Sequence, residues 1–123
     1  MGKLLLDTCI LIDYLRGIPA AVDFLEGLNA NPIISAITTA ELYSGYKGED
    51  ELLRLEQLLS QTLAIETGNE IAKMGGRLRK QYGPSHGAGL VDCLIAATAL
   101  SEGAKVVTLN TKHFPMVETF RPY

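Results

Sequence analysis

The sequence predicts an α/β fold, a three-layer α/β/α sandwich whose central sheet is mostly parallel. Strand-like and helix-like segments alternate along the 123 residues and are joined by short links, a pattern typical of parallel strands with crossover helices. The apolar content of 47% and the mean hydropathy of +0.15 indicate a buried core and exclude a disordered chain. We therefore expect a single domain that spans residues 1–123.

The first half of the chain contains the patterns of two strands and four helices. The apolar run at its start ends in Asp7 and is typical of a buried parallel strand. Gly17 ends the helix that follows, and Pro19 suits the first turn of the next helix. Asn31 and Pro32 form a turn signal before the second strand. We expect these elements at residues 3–7, 9–16, 19–25, 32–36, 38–46 and 49–60.

The second half contains two further strands and two long helices. Thr67 suits the cap of the first helix, and Gly103 suits the end of the second. Glycine, proline and serine between residues 83 and 89 predict a loop that separates the two helices. We expect the strands at residues 63–66 and 105–109, the helices at residues 67–82 and 90–102, and a final loop at residues 110–116.

Three acidic residues stand where a strand turns into a helix or where a helix begins, namely Asp7, Glu41 and Asp92. Because the carboxyl ends of parallel strands gather at one edge of a sheet, we expect these carboxylates to converge there. Converging carboxylates repel one another unless a cation lies between them, and their hard oxygen atoms suit Mg²⁺ or Mn²⁺. The pattern therefore predicts a metal-dependent enzyme of phosphoryl transfer.

Each acid also has a purely structural alternative. Asp7 suits the N-cap of the helix after it. Thr38 and Glu41 match the capping box, in which a glutamate reaches back to the cap amide. Asp92 lies in the first turn of an apolar helix, where the helix dipole favours a negative charge, although a carboxylate buried there needs a partner or a metal. Asp13 is expected to lie in solvent on an outer helix face.

Further polar candidates lie outside the three acids. Asn110 follows the last predicted strand and is either a turn residue or a neutral oxygen ligand at the same sheet edge. His86 and His113 lie in predicted loops, where a lone histidine is more often exposed than catalytic. The residues alone leave both alternatives open for Asn110.

The charge and the cysteine content exclude several classes of protein. A net charge of −3 excludes an overall polycation that attracts nucleic acid. Cys9 and Cys93 are too few for a disulfide framework or a tetrahedral zinc site, so reduced thiols are expected. No apolar run reaches the ~18 residues of a membrane span, and the start of the chain lacks a signal-peptide cleavage site. We expect a soluble cytoplasmic protein.

Four segments resemble the motifs of the PIN domain family, and in particular those of the VapC-like toxins of toxin–antitoxin pairs. The first segment resembles the opening strand and first acid of the family, and the second and third resemble its more specific motifs. The resemblance extends over nearly the whole chain. The segments are residues 4–13 (LLLDTCILID), 35–45 (SAITTAELYSG), 92–100 (DCLIAATAL) and 108–114 (TLNTKHF).

The resemblance implies a PIN-like fold and a ribonuclease that depends on Mg²⁺ or Mn²⁺. It implies that Asp7 and Asp92 hold the metal and that Glu41 binds it through water or orients the attacking water. Asn110 would hydrogen-bond a ligand or a phosphate oxygen. An RNA substrate, a homodimer and a VapB-like antitoxin are the implied partners. Many relatives have a fourth acid at the position of Asn110 or of His113, and neither residue is acidic here.

Two rival enzyme classes fit the sequence less well. An aspartyl-phosphate phosphatase has a second acid two residues after the first, where this chain has Cys9. A dinucleotide-binding domain has a glycine-rich turn, which is missing after Leu6. A catalytically weak PIN-like module that binds RNA or regulates a partner stays open as the alternative.

Two sets of side chains are candidates for contacts with partners. The basic residues are candidates for the RNA backbone. Apolar residues of the helices, which one small core does not fully cover, are candidates for a protein interface. The basic set is Arg16, Arg77, Arg79, Lys80 and Lys112, and the apolar set is Leu42, Tyr43, Tyr46, Leu52, Leu55 and Leu59.

Overall fold

A computed structural model describes residues 2–123, which form five strands, six α-helices and a 3₁₀ turn. The strands are β1 (Leu4–Leu6), β2 (Ile33–Ser35), β3 (Leu63–Ile65), β4 (Lys105–Val107) and β5 (Thr119–Phe120). The helices are α1 (Thr8–Leu15), α2 (Pro19–Glu26), α3 (Ala36–Tyr43), α4 (Gly48–Leu59), α5 (Asn69–His86) and α6 (Leu90–Glu102). The 3₁₀ turn covers Thr111–His113.

The strands form one parallel sheet in the order β3-β2-β1-β4-β5. Leu5 of β1 pairs with Ile33 of β2 on one side and with Val106 of β4 on the other. The first strand of the chain is therefore the central strand of the sheet. Asp7 follows it directly, and its N–H donates to the Val107 carbonyl oxygen at 2.9 Å. This bond fixes Asp7 at the middle of the carboxyl edge.

The alternation of side chains along β1 divides the core into two layers. Leu4 and Leu6 pack on one face with buried residues of α1, α3 and α4, among them Leu42. Leu5 packs on the other face with Ile95 and other buried residues of α6. Full burial of such a side chain contributes about 1.5–3 kcal/mol. Helices therefore cover both faces of the sheet, as the sequence predicted.

The predicted boundaries of most elements agree with the structure to within a few residues. Helix α6 begins and ends at the predicted residues. Gly103 ends it with φ +63°, in the left-handed conformation that glycine adopts without strain. None of the helices within residues 2–123 is long and apolar enough to cross a lipid bilayer.

Helix α5 differs from the prediction at both ends. It begins after Gly68, whereas Thr67, the expected cap, has a buried hydroxyl oxygen without a hydrogen-bond partner among residues 2–123. At the other end it continues through the predicted loop to His86, with Pro84 inside the helix. Proline removes one helix hydrogen bond, but this end of the helix is exposed, so the freed carbonyl is accessible to water. The left-handed Gly87, with φ +66°, is the residue that ends the helix.

At the periphery of the fold, the sequence analysis missed one strand and was wrong about Asp13. Strand β5 was not predicted, because two residues are too short for an alternating pattern. Its Phe120 ring lies 6.0 Å from the Phe24 ring, between centroids. Asp13, expected in solvent, accepts the Tyr123 hydroxyl at 2.8 Å. Burial, together with this bond, raises the pKa of Tyr123 well above its usual range.

Candidate active site

Asp7 lies at the centre of the carboxyl edge, where β1 passes into α1. It is 6% exposed and is the N-cap of α1, so the structural role considered for it is real. Its Oδ1 accepts the Thr8 N–H at 2.9 Å, and its Oδ2 accepts the Thr108 hydroxyl at 2.7 Å. Two fixed donors thus hold the carboxylate in one orientation and leave it lone pairs for a further partner.

Thr108 is a residue of this site that the sequence reasoning missed. Its side chain is fully buried, and its hydroxyl donates to Asp7 and accepts the Asn110 N–H at 2.9 Å. The feature that could have revealed Thr108 is its position in the sheet. Leu6 of β1 is level with Val107 of β4, so the next residue of each strand meets at the same edge.

Glu41 lies in the second turn of α3, and the capping-box alternative for it was wrong. Ser35 is the N-cap of α3, and its hydroxyl accepts the Ile37 N–H at 3.0 Å. The helix therefore begins two residues before Thr38, because β2 passes into α3 without a link and the first hydroxyl takes the cap. Glu41 cannot reach back to that cap, so its carboxylate is free for another role.

Thr8 connects the second acid to the first. Its hydroxyl donates to Glu41 Oε1 at 2.5 Å and lies 3.0 Å from the hydroxyl oxygen of Thr38, whose side chain is fully buried. Its backbone N–H is the one that holds Asp7. A single buried residue thus sets the relative position of two carboxylates from different elements. Glu41 itself is exposed at the rim of the site.

Asp92 lies in the first turn of α6, where its surroundings disfavour the negative charge of its carboxylate. Burial raises the pKa of this carboxyl, and the negative charges of Asp7 and, more weakly, Glu41 raise it further. His113 and a hydrogen bond from the Gly89 backbone act in the opposite direction. The contributions of Asp7 and Glu41 to this shift indicate that the three predicted acids are near enough for their charges to interact.

The two polar residues of the last motif occupy different positions. Asn110 is exposed, and its backbone N–H, bonded to Thr108, is what ties it to the site. His113 was expected to be an exposed loop residue, but its Nδ1 lies 3.6 Å from Asp92 Oδ2. The expectation failed because the 3₁₀ turn after β4 directs residue 113 back towards α6.

Both cysteines are free, as predicted, and Cys9 touches the site. Its Sγ donates to Asp7 Oδ2 at 3.6 Å and lies 3.9 Å from the Thr108 hydroxyl oxygen. Burial raises the pKa of Cys9, and the negative charge of Asp7 raises it further. A backbone hydrogen bond acts in the opposite direction. Burial also raises the pKa of Cys93. Both side chains are therefore protonated thiols at neutral pH.

The donor set of the carboxyl edge fits a hard divalent cation. Asp7, Glu41 and Asp92 carry oxygen ligands. Burial is the main cause of the raised pKa of Asp92, and a cation at this edge would relieve the further rise that the charges of Asp7 and Glu41 cause. Within residues 2–123, no group of three or more His, Cys, Asp or Glu side chains is close enough together to hold a metal ion by itself. An ion held here would keep water molecules among its ligands, as Mg²⁺ usually does.

A groove of about 360 Å³ opens beside Glu41 between α1, α3 and the start of α4. Its lining combines apolar and basic side chains, among them Ile12, Leu15, Leu42, Arg16, Lys47 and Arg54. Cavities of about 390 and 490 Å³ lie at the opposite edge of the sheet, around residues 27–32, and are remote from the carboxylates. The first groove is therefore the one that adjoins the candidate site.

The exposed apolar surface is smaller than the sequence predicted. Leu42 and Leu55 were expected at an interface but pack in the core, where they are 5% and 1% exposed. Tyr43 and Tyr46 are exposed, with ring centroids 6.3 Å apart in an edge-to-face pair. Leu53, which was not predicted, is 58% exposed. Exposed apolar side chains thus remain at the end of α3, in the link to α4 and on α4.

Comparison with known proteins identifies the family. Residues 4–118 match the model of the PIN domain. The chain belongs to the PIN domain family. It is 42% identical over 122 residues to ribonuclease VapC19 of Mycobacterium tuberculosis, and the alignment covers 96% of this chain and 97% of that protein.

Chains of solved toxin–antitoxin complexes have the same fold. One chain of a toxin–antitoxin complex from Klebsiella pneumoniae matches with a TM-score of 0.84 and 32% identity, over 98% of both chains. A chain from DNA-bound VapBC of Salmonella typhimurium matches with a TM-score of 0.84 and 27% identity, over the full length of both. The predicted fold and family are therefore confirmed. The roles of Asp7, Glu41, Asp92 and Asn110 stay predictions.

Proposed function

We propose that this PIN domain is a metal-dependent endoribonuclease and the toxin of a VapBC-type toxin–antitoxin pair. The observation that carries the proposal is the grouping of three carboxylates at one sheet edge, where burial and then the charges of Asp7 and Glu41 raise the pKa of Asp92. The ribonuclease activity is supported by the full-length similarity to a protein named ribonuclease VapC19. Hydrolysis of RNA in the cytoplasm is part of the same proposal.

The metal is assigned to Asp7 and Asp92. Both are acids of the carboxyl edge, and Asp7 is already oriented by donors from Thr8 and Thr108. When bound, Mg²⁺ or Mn²⁺ supplies a water of lowered pKa and a positive charge that stabilises the transition state. The preset orientation of Asp7 means that little side-chain entropy is lost when the ion binds.

The chain's own residues position the attacking water and the substrate. Glu41, held by Thr8 and exposed at the rim, is placed to accept a proton from that water. Asn110 carries a neutral amide, which can donate to a phosphate oxygen without adding repulsion. Glu41 would then supply the base, and Asn110 the hydrogen-bond donor, that hydrolysis of a phosphodiester uses.

Three of the five candidate basic residues lie near the acids and are assigned to the RNA backbone. Arg16 lines the groove beside Glu41. The Arg79 guanidinium opposes the rise that burial causes in the pKa of Cys93, so Arg79 lies close to the start of α6. Lys112 belongs to the 3₁₀ turn that reaches the site. Neutralisation of phosphates by such residues makes binding weaken as salt increases.

An antitoxin and a second copy of this chain are the proposed protein partners. The structural relatives are parts of toxin–antitoxin complexes. The groove beside Glu41 is lined by apolar side chains and by charged side chains of both signs, which suits an apolar segment of an antitoxin flanked by charged residues. The exposed aromatic pair of Tyr43 and Tyr46 borders it. Occupation of this groove would block access to Glu41 and silence the enzyme.

RNA cleavage by purified variants tests the proposal. We expect cleavage by the unmodified protein in Mg²⁺ or Mn²⁺, none in excess EDTA, and none by Asp7→Asn or Asp92→Asn in metal. Glu70→Gln is the matched control, because Glu70 is an exposed acid at the start of α5 paired with Lys73 at 3.4 Å. Equal cleavage by Asp92→Asn and Glu70→Gln would contradict the proposal.

The second candidate is a catalytically weak PIN-like module that binds RNA or regulates a partner. The observation that favours it is the absence of an acid at both positions of the last motif, Asn110 and His113. Such a module would bind RNA with a steep salt dependence but would release no cleaved product in either metal. The RNA-cleavage assay, combined with a measurement of RNA binding, distinguishes the two functions.

A further inference from the structure

The structure distinguishes the two positions at which the fourth acid of the family is replaced. Asn110 is exposed, and its backbone N–H donates to the Thr108 hydroxyl. His113 directs its imidazole to the site, with Nδ1 3.6 Å from Asp92 Oδ2. The side chain that takes the place of the fourth acid beside Asp92 is therefore the imidazole of His113, whose ligand atoms are nitrogens.

The position of His113 is fixed by the core of the protein. It ends the 3₁₀ turn, and its N–H donates to the Asn110 carbonyl oxygen at 2.9 Å. Phe114 follows it, with its own N–H bonded to the Thr111 carbonyl oxygen at 3.0 Å and a side chain that is 1% exposed. Because a fully buried phenylalanine anchors the next residue, the backbone of His113 is fixed at a place from which its imidazole reaches Asp92.

We propose that His113 is a nitrogen ligand of the divalent ion held by Asp92. The proposal rests on the proposed function, since it requires the metal. Adjacent ligand atoms on an octahedral ion with bonds of about 2.1 Å stand about 3 Å apart, so the observed 3.6 Å requires a shift well below one ångström. The half-exposed imidazole can make that shift by side-chain rotation alone.

The chemical alternatives to ligation do not suit the metal-bound site. A protonated imidazole beside the ion would be repelled by it, whereas a neutral imidazole is among the commonest metal ligands in proteins.

An imidazole ligand also changes which metal ion the site prefers. Mg²⁺ selects oxygen ligands, and affinity for nitrogen rises along the first-row transition series. This site is therefore expected to prefer Mn²⁺ over Mg²⁺ more strongly than a site with four acids.

Electron spin echo modulation of bound Mn²⁺ tests the proposal directly. The chain has two histidines, His86 and His113. His86 is exposed near the end of α5, with its Nδ1 2.7 Å from the Ser85 hydroxyl. In the His86→Asn protein, any histidine nitrogen detected on Mn²⁺ therefore comes from His113. We expect a ¹⁴N modulation that changes to the ¹⁵N pattern after histidine-specific labelling and is lost in His113→Asn.

Calorimetric titration of Mn²⁺ and of Mg²⁺ into each variant measures how much His113 contributes to metal affinity. We expect His113→Asn to weaken Mn²⁺ binding by about tenfold or more, in the range found when supporting groups of metal sites are removed. Its effect on Mg²⁺ should be much smaller, and His86→Asn should change neither. Circular dichroism of each variant checks the fold, but the spectroscopic test on His86→Asn stands even where His113→Asn fails to fold.

The outcomes separate this proposal from the proposed function. Mn²⁺ that binds, is lost in Asp92→Asn, and carries no histidine nitrogen would overturn the role of His113 and leave the metal-dependent nuclease intact. Failure of Mn²⁺ to bind the unmodified protein, even with RNA present, would overturn both. A histidine nitrogen that disappears in His113→Asn supports the proposal.

Discussion

Replacement of Thr8 by valine removes the hydroxyl that joins two parts of the site without changing the shape of the side chain. Thr8 donates to Glu41 at 2.5 Å and lies 3.0 Å from the buried Thr38 hydroxyl. Its backbone bond to Asp7 is unaffected by the substitution. We therefore expect Thr8→Val to release Glu41 while Asp7 keeps its orientation.

The expected magnitude follows from the burial of the two partners. Thr38 is fully buried, so its hydroxyl loses a partner that water cannot replace, at a cost of about 1–3 kcal/mol. Glu41 is exposed, so water replaces most of its lost bond, and the gain in apolar burial of valine offsets part of the rest. A net loss of about 1 kcal/mol would lower the Tm of a domain of this size by about 3–5 °C.

The effect on activity should be larger than the effect on stability. Groups that orient the ligands of a metal site change activity by about 10–100-fold when removed, and we expect a loss in that range for RNA cleavage. Thr8→Ser keeps the hydroxyl and should retain most of the activity. Both variants are assayed well below their Tm. A Thr8→Val protein that cleaves RNA at the unmodified rate would refute the positioning role of Thr8.

Three further predictions follow from the same geometry. Because the folded-state pKa of Asp92 is raised, the folded protein binds a proton that the unfolded chain releases, and stability falls as pH rises through that pKa. Asp92→Asn should therefore raise the Tm of metal-free protein at neutral pH and flatten its pH dependence, and an unchanged pH profile would contradict this. Glu41→Gln should lose most RNA cleavage with little change in Tm, since Glu41 is not a cap residue; retained cleavage would favour a purely structural Glu41. Asn110→Asp should strengthen Mn²⁺ binding in calorimetry by adding charge, and equal affinities would remove Asn110 from the site.

The parts of the fold that the sequence predicted are the parts specified by neighbouring residues. The apolar run before Asp7 and the stretch from Leu90 to Gly103 have their periodicity and end signals within a few residues. The same local logic failed for the start of α3, where Ser35 and Thr38 are both suitable caps. The choice between them depends on where β2 ends, which a local pattern does not record.

The supporting bonds of the site were beyond prediction because they join distant segments. Thr108 and Asp7 are 101 residues apart in the chain, and Thr8 and Glu41 are 33 apart. Each threonine has many possible partners until the strand order is known. The acids were easier to recognise, because a carboxylate at an apolar junction has few stable environments. The position of His113 likewise depends on a short turn after β4.

Anomalous diffraction from a crystal grown with Mn²⁺ tests most directly whether the three acids hold one catalytic ion. We predict a single strong peak at the carboxyl edge of the sheet, in contact with Asp7 and Asp92 and with Glu41 reached directly or through water. The peak should be absent from crystals of Asp92→Asn grown in the same conditions. A peak elsewhere on the protein, with none between Asp7 and Asp92, would contradict the assignment of this edge as a metal-dependent active site.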